Sequence, residues 1–137
     1  MTNILFICKY NRFRSHVALA YFKKVSKNKN VRADSAGLFM DRPIAGIVKK
    51  LGKKYGFDVK GKPKQVSTKL LKWQDIIVIV ANNVPKNLFK NWKKRKIIVW
   101  KIPDASKRDI PKIEKSMKMI MNKVDSLVMG LNEGKRK

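Results

Sequence analysis

The sequence predicts an α/β domain in which a four-stranded parallel sheet carries helices on both faces. Apolar segments of strand length alternate with amphipathic segments of helical length, and right-handed crossovers in such a chain place the helices on the two faces of a parallel sheet. Residues 76–81 are apolar at every position, which is typical of a strand covered on both faces, and residues 97–100 repeat this pattern. The 137 residues suffice for one core, so we expect a single domain of residues 1–132 and a flexible basic tail of residues 133–137.

The first half of the chain contains two predicted strands and two predicted helices. Residues 3–8 form a short apolar run that ends in a polar, turn-like segment, as a buried strand followed by a loop does. A helix begins near Arg14, because apolar residues then recur at helical spacing. Residues 31–35 form the second strand. The second helix starts just after Pro43, a favoured first-turn residue, and stops at Gly56.

The second half contains two more strands, two short helices and a long one. A short helix over residues 67–73, with Ser67 as its N-cap, precedes the third strand, and another over residues 85–92 follows it. An apolar stripe about five turns long makes the last helix, and Asp109 is its candidate N-cap. Ligands bind at the carboxyl ends of parallel strands, so we expect the site in the loops there. These loops follow Cys8, Ala36, Ala81 and Ile102.

The chain is strongly basic, with 34 Lys and Arg against 9 Asp and Glu and a formal charge of +25. This charge either attracts a polyanion, with an acidic protein or RNA as the partner, or reflects a lysine-rich solvated surface. Of the basic residues 27 are Lys and 7 are Arg, and Lys is the poorer residue for bidentate recognition, which slightly favours the second interpretation. No apolar run exceeds six residues and no signal-peptide core is present, so we predict a cytoplasmic protein without a membrane span.

The chain has one cysteine, Cys8, and one histidine, His16. It therefore forms no intramolecular disulfide, no cysteine-rich zinc site and no iron–sulfur cluster. We predict no metal and no cofactor. Cysteine–histidine catalysis would have to use His16, but its place on the first turn of the first helix favours an exposed helix residue.

The first strand ends in a motif that fits phosphate chemistry, because Cys8 is followed six positions later by Arg14 and then by Ser15. A short loop between a strand and a helix N-terminus wraps its N–H groups around one anion, and the helix dipole adds positive potential. An arginine at the far lip grips two phosphate oxygens, and a cysteine at the near lip lies beneath the phosphorus as a thiolate. Cys8 is therefore the candidate nucleophile. The phosphate-binding candidates are Lys9, Tyr10, Asn11, Arg12, Phe13 and Arg14.

This opening resembles that of the low-molecular-weight protein tyrosine phosphatases and the related thioredoxin-coupled arsenate reductases, which begin with a hydrophobic strand, Cys-x-x-Asn-x-x-Arg-Ser and a helix. Residues 34–37 match the family's Ser-Ala-Gly turn, and residues 43–58 and 65–81 follow in family order. The resemblance therefore covers nearly the whole chain.

The resemblance assigns roles to four residues of the motif. It implies that Cys8 takes the phosphoryl group and that Arg14 clamps the equatorial oxygens. It also implies that Ser15 donates a hydrogen bond to the Cys8 sulfur. Asn11 would fix the loop backbone, a task that suits Asn because this residue tolerates a left-handed conformation.

A phosphatase of this type also needs an acid that protonates the leaving oxygen and later acts as a base toward water. Among the nine carboxylates, Asp104 follows the fourth strand at the edge where the site is expected, and Asp41 is the weaker candidate. The family carries its acid in a loop at this place. An ordinary turn aspartate is the alternative interpretation of Asp104.

The chain departs from the family at the rim of the expected site. Tyr10 stands where the family has Gly, Phe13 where it often has a second Cys, and Ala81 where its third strand ends in Asp. Ala105 begins the segment that replaces the family's Asp-Pro-Tyr-Tyr loop. Tyr10 and Phe13 either supply an aromatic wall for the substrate or pack inward.

The sequence therefore predicts a cysteine-dependent phosphomonoester hydrolase with tyrosine phosphate as the leading substrate. An arsenate reductase is the first alternative, and with a single cysteine it would need an external thiol. The second alternative is a catalytically weak protein that binds a polyanion or nucleic acid through its basic surface.

Overall fold

Four parallel strands form one central sheet in the computed structural model, which describes residues 1–39, 43–106 and 108–136, residues 133–136 by their backbone alone. The strands are β1 (Thr2–Cys8), β2 (Val31–Gly37), β3 (Ile76–Val80) and β4 (Lys96–Trp100). Their order in the sheet is β2-β1-β3-β4, and every pairing is parallel. The predicted fold class is confirmed.

Helices cover both faces of this sheet. They are α1 (Arg14–Val25), α2 (Gly46–Lys54), α3 (Thr68–Trp73), a 3₁₀ helix (Lys86–Trp92) and α4 (Ile110–Arg136). Successive residues of β1 point to opposite faces. Ile4 and Phe6 pack in a core with α1, α2 and α4, whereas Leu5 and Ile7 pack in a second core with α3 and the 3₁₀ helix.

Three elements differ from their sequence predictions. Residues 97–100 do not form a strand covered on both faces, because Val99 is 37% exposed, and β4 lies at the edge of the sheet. The second helix begins at Gly46 rather than directly after Pro43. The backbone of α4 continues to Arg136, so residues 133–136 are helical although they were predicted as a tail, and the domain limit at residue 132 stays a prediction.

The predicted helix ends are confirmed by their hydrogen bonds and backbone angles. The Ser67 hydroxyl accepts from the Leu70 N–H at 3.2 Å, and the Asp109 carboxylate accepts from the Lys112 N–H at 3.3 Å. Gly56 follows α2 with a φ of 86°. None of the helices in the described residues is long and apolar enough to cross a membrane.

The parallel arrangement brings the loops after β1, β3 and β4 to the same edge of the sheet. This edge is where ligands bind in α/β proteins of this kind. The candidate functional residues lie on these loops and on the first turn of α1.

Candidate active site

The loop between β1 and α1 surrounds the thiol of Cys8. The Cys8 Sγ lies 2.9 Å from the Ser15 hydroxyl, 3.2 Å from the Asn11 N–H nitrogen and 3.4 Å from the Ser15 N–H nitrogen. Donors directed at a sulfur stabilise a thiolate. Cys8 itself is only 3% exposed. The sulfur therefore lies at the base of a narrow pit into which hydrogen-bond donors converge.

Asn11 gives this loop its shape. Its φ of 56° is the only positive φ of a non-glycine residue in the described part of the chain, as expected for a residue that tolerates the left-handed conformation. The buried side-chain amide donates to the hydroxyls of Ser15 at 2.7 Å and Ser35 at 3.0 Å. Its oxygen accepts from the Lys64 N–H at 3.0 Å. Asn11 thus ties the loop to β2 and to the connection between α2 and α3.

The start of α1 lies next to the sulfur and carries no capping or acidic side chain. The residue that precedes the helix, Phe13, offers no side-chain cap, and the first turn contains no acidic residue. The first N–H groups of a helix have no partner within the helix and carry partial positive charge. Their position beside the loop N–H groups is the arrangement that the sequence predicted for a phosphate cradle, and the cradle itself stays a prediction.

Arg14 is buried beside the pit, with 2% of its surface exposed. Its guanidinium donates to the Ile102 carbonyl at 2.9 Å and to the Asn83 side-chain oxygen at 3.0 Å. These two bonds fix the plane of a group with five donors, which is what bidentate recognition of phosphate requires. Asn83 was not predicted as a site residue. Its position just after β3, at the carboxyl edge of the sheet, is the signal that could have found it.

Asp104 lies on the loop after β4 and lines the same pit as Cys8 and Arg14. One of its carboxylate oxygens is 3.7 Å from the Arg14 guanidinium, and the other accepts from the Ala105 N–H at 2.9 Å. The side chain is 36% exposed, so it reaches both the pit and the solvent. The structure thus brings Asp104 to the site. The weaker acid candidate, Asp41, lies outside the described residues.

The two aromatic residues of the loop differ in their surroundings. Phe13 is buried in the core but keeps part of its surface on the pit. Tyr10 is half-buried at the rim, where its ring packs 6.2 Å from the ring of Phe39. The cations of Lys9 and Arg12 lie 5.3 Å and 5.2 Å from the centre of the Tyr10 ring. Phe13 therefore packs inward, and Tyr10 forms the aromatic part of the rim.

A groove of about 670 Å³ opens beside the pit and shares Arg12, Phe13 and Asp104 with it. Apolar residues form much of its wall, most of them from the segments that precede α1, α2 and α4, and Arg108 adds a second cation. The apolar members are Phe13, Pro43, Ile44, Ala45, Val48, Ala105 and Ile113. The groove and the pit are therefore adjacent.

His16 is not the exposed helix residue that the sequence predicted. The ring is 5% exposed and lies between two backbone carbonyls, those of Asn11 at 2.7 Å and Lys60 at 3.0 Å. The prediction failed because the connection between α2 and α3 folds over this side of α1, a long-range contact that local spacing does not reveal. No group of three or more His, Cys, Asp or Glu side chains is placed to hold a metal within the described ranges.

The parallel sheet, the loop around the Cys8 thiol and the helix that follows it define an α/β protein with a phosphate-loop architecture. The model of the family described as low molecular weight phosphotyrosine protein phosphatase matches residues 3–137. The chain therefore belongs to this family, and the resemblance found in the sequence is confirmed.

Solved structures with the same fold include phosphatases and reductases. The YwlE arginine phosphatase of Geobacillus stearothermophilus is 18% identical with a TM-score of 0.86, and the match covers 98% of this chain and 95% of that one. A low molecular weight protein tyrosine phosphatase of T. tengcongensis is 23% identical with a TM-score of 0.82, covering 95% and 99%. An arsenate reductase of Archaeoglobus fulgidus is 26% identical with a TM-score of 0.72, covering 91% and 98%. No curated protein matches the chain. Family and neighbours together support phosphatase-type activity.

Proposed function

We propose that the protein hydrolyses phosphomonoesters through a phosphoryl group carried on Cys8. The observation that carries this proposal is the convergence on one sulfur of the Ser15 hydroxyl and the N–H groups of Asn11 and Ser15. Arg14 is fixed beside the same pit, which suits a clamp on the equatorial phosphate oxygens. The N–H groups of residues 9–14 other than that of Asn11, which donates to the sulfur, bind the remaining oxygens.

The reaction has two displacement steps. The Cys8 thiolate attacks phosphorus, the bond from phosphorus to the ester oxygen breaks, and the Asp104 carboxyl gives its proton to the leaving oxygen. Asp104 then takes a proton from water, which attacks phosphorus as the sulfur–phosphorus bond breaks. Inorganic phosphate leaves, and the Ser15 hydroxyl stabilises the released thiolate by the bond it makes to the sulfur. This sequence uses no metal and no cofactor.

The groove beside the pit supports an aryl phosphate, such as phosphotyrosine in a protein, as the substrate. Its apolar wall, to which the more accessible Pro43, Ala45 and Ala105 contribute, suits a ring. The arginine at position 108 suits a substrate with further negative charge and opposes a cationic leaving group. We therefore place phosphotyrosine ahead of phosphoarginine. The basic surface, with a formal charge of +25, would draw such acidic substrates toward the site.

The proposal is tested by hydrolysis of p-nitrophenyl phosphate with a metal chelator present, from mildly acidic to neutral pH. We expect turnover by the wild type, none by Cys8→Ser, and a loss of about 100-fold or more in Asp104→Asn. Asp58→Asn is the matched control, because Asp58 is an exposed carboxylate outside the pit. No turnover by the wild type, or turnover that survives Cys8→Ser, would overturn the proposal.

Arsenate reduction is a second candidate, favoured by the Archaeoglobus fulgidus neighbour at 26% identity. Arsenate has the shape and charge of phosphate, so Cys8 could attack it in the same cradle. The chain has one cysteine, so the sulfur–arsenic adduct must be resolved by an external thiol. Arsenite release with added glutathione, dependent on Cys8, would support this candidate, and its absence would exclude it.

A further inference from the structure

His16 is buried next to the loop yet takes no part in the proposed chemistry. Its Nδ1 lies 2.7 Å from the Asn11 carbonyl and its Nε2 lies 3.0 Å from the Lys60 carbonyl. A carbonyl oxygen only accepts hydrogen bonds, so each contact is a bond only when that ring nitrogen carries a proton. A neutral imidazole has one such proton and makes one of the two bonds. The shorter contact, to Asn11, is the one that reaches the phosphate loop.

The hydrogen bond from His16 to the Asn11 carbonyl also constrains the N–H of the next residue, Arg12. The Asn11 carbonyl and the Arg12 N–H belong to one planar peptide unit, which is trans because the described chain has no cis peptide. In a trans unit the C=O and the N–H point in opposite directions. Holding the carbonyl on His16 therefore turns the Arg12 N–H away from His16.

The N–H of Asn11 is held by the sulfur of Cys8. This N–H donates to the Cys8 Sγ at 3.2 Å, and the Asn11 φ of 56° reverses the chain between the two peptide units. The N–H and the carbonyl of Asn11 are thus anchored separately, the first on the Cys8 sulfur and the second on His16. A loop anchored on both sides of its left-handed residue has little freedom to turn its next N–H.

From this geometry we infer that His16 is a positioning residue whose Nδ1–H holds the Asn11 carbonyl and thereby directs the Arg12 N–H toward the bound phosphate. The inference rests on the proposed function of the loop as a phosphate cradle. It assigns His16 an effect on phosphate affinity that acts through the peptide unit between Asn11 and Arg12. His16 itself makes no contact with the phosphate in this arrangement.

The connection between α2 and α3 supports the arrangement from outside. The Lys60 carbonyl lies 3.0 Å from the Nε2 of the ring, and four residues later the Lys64 N–H donates to the Asn11 side chain at 3.0 Å. Gly61 between them has a φ of 95°, and a β-carbon there would come to 3.6 Å from the His16 Nε2. The same short segment thus holds the Asn11 side chain and packs against the imidazole that faces the Asn11 carbonyl.

Two isosteric variants separate the two nitrogens of the ring. The amide nitrogen of Asn takes the position of Nδ1, and that of Gln takes the position of Nε2. His16→Asn therefore keeps a donor for the Asn11 carbonyl, whereas His16→Gln keeps one for Lys60 and loses the bond to the loop. The readouts are kcat/KM on p-nitrophenyl phosphate and the inhibition constant of inorganic phosphate, with the free energy of unfolding measured for each variant.

We expect His16→Gln to lose about tenfold or more in phosphate affinity and His16→Asn to stay within about threefold of the wild type. A purely structural histidine would instead reduce stability in both variants and leave phosphate affinity unchanged. Equal phosphate affinity in wild type and His16→Gln would overturn the inference. A wild type that neither turns over nor binds phosphate would instead overturn the proposed function, so the two failures are distinguishable.

If a variant fails to fold, a spectroscopic measurement on the wild type tests the inference about His16. His16 is the only histidine of the chain, so nitrogen-15 NMR of the wild type reports one imidazole. We expect the Nδ1 to carry a proton with phosphate bound. A neutral ring with its single proton on Nε2 would overturn the inference.

Discussion

A β-carbon on Gly37 would lie 2.5 Å from the carbonyl carbon of Tyr10. The end of β2 therefore packs directly against the backbone of the phosphate loop, at a distance that leaves no room for a side chain at this position. The neighbouring N–H groups of Leu38 and Phe39 donate to the carbonyls of Cys8 and Lys9 at 3.1 Å and 3.0 Å. Gly37 is thus a point at which the sheet determines the position of the loop.

Gly37→Ala is expected to destabilise the protein by about 3 kcal/mol, because the obstacle is backbone and cannot rotate away. Hydrolysis of p-nitrophenyl phosphate should fall with it, since the loop must move. Urea unfolding and kinetics measure the two effects. The control is Gly130→Ala in α4, where a β-carbon meets nothing within 4 Å, and there we expect a gain of about 1 kcal/mol. Equal behaviour of the two variants would contradict this view of Gly37.

Arg14→Lys is expected to lower kcat/KM by about 100-fold or more. A single ammonium group cannot hold the Ile102 carbonyl and the Asn83 oxygen and still present two donors to phosphate. Arg32→Lys, at an exposed arginine, should change kcat/KM little. A loss below about threefold in Arg14→Lys would refute the role of the planar guanidinium.

Arg108 should select for acidic substrates, because it adds positive charge to the groove in which we propose that the leaving group lies. Arg108→Gln is expected to lower kcat/KM by about threefold to tenfold for a phosphotyrosine peptide with acidic flanks. The same variant should leave p-nitrophenyl phosphate, which has no such flanks, almost unaffected. Rates are compared at low and high salt, since added salt should remove the difference. An equal loss on both substrates would argue against this role.

Alkaline pH should weaken the contact between α1 and α4 at Tyr21. Burial, and then the hydrogen bond of 2.8 Å to Asp125 and its charge, raise the pKa of Tyr21 from 10.0 to about 12. Between these values the unfolded chain loses the phenolic proton while the folded protein keeps it, so the free energy of unfolding falls as pH rises. Below pH 10.0 the contribution is complete.

The measurement compares urea unfolding of the wild type and Tyr21→Phe at about pH 9 and about pH 11. The wild type should lose more stability over this interval than the variant, which has no phenol at this position. Asp125→Asn should also lower the pKa of Tyr21, followed by the absorbance of tyrosinate. Identical losses in wild type and Tyr21→Phe would show that the phenol does not contribute.

Most of the fold could be predicted because the signals are local. The apolar run before Cys8, the periodicity after Arg14 and the capping residues Ser67 and Asp109 each depend on neighbours in sequence. The edge position of β4 could not be predicted in this way. Strand order arises from pairing between distant segments, and an apolar run does not report which of its edges has a partner.

The candidate site likewise contains residues that the sequence predicted and residues that it did not. The sequence predicted Cys8, Arg14 and Asp104 as site residues, and the structure brings them around one pit. Asn83 and the burial of His16 were missed, because both depend on contacts between residues far apart in the chain. The hydrogen bond from Arg14 to Asn83 spans 69 positions, and the contact between the His16 ring and the Lys60 carbonyl spans 44.

The single cysteine of this chain also determines how the protein responds to oxidants. A sulfenic acid formed on Cys8 has no second cysteine in the chain with which to close a protective disulfide. Its rescue depends on a thiol from another molecule that can reach a sulfur only 3% exposed. Without such a thiol, further peroxide carries the sulfur on to the irreversible sulfinic acid. The burial that places the sulfur at the base of the pit thus makes its oxidative damage dependent on the reducing capacity of the surroundings.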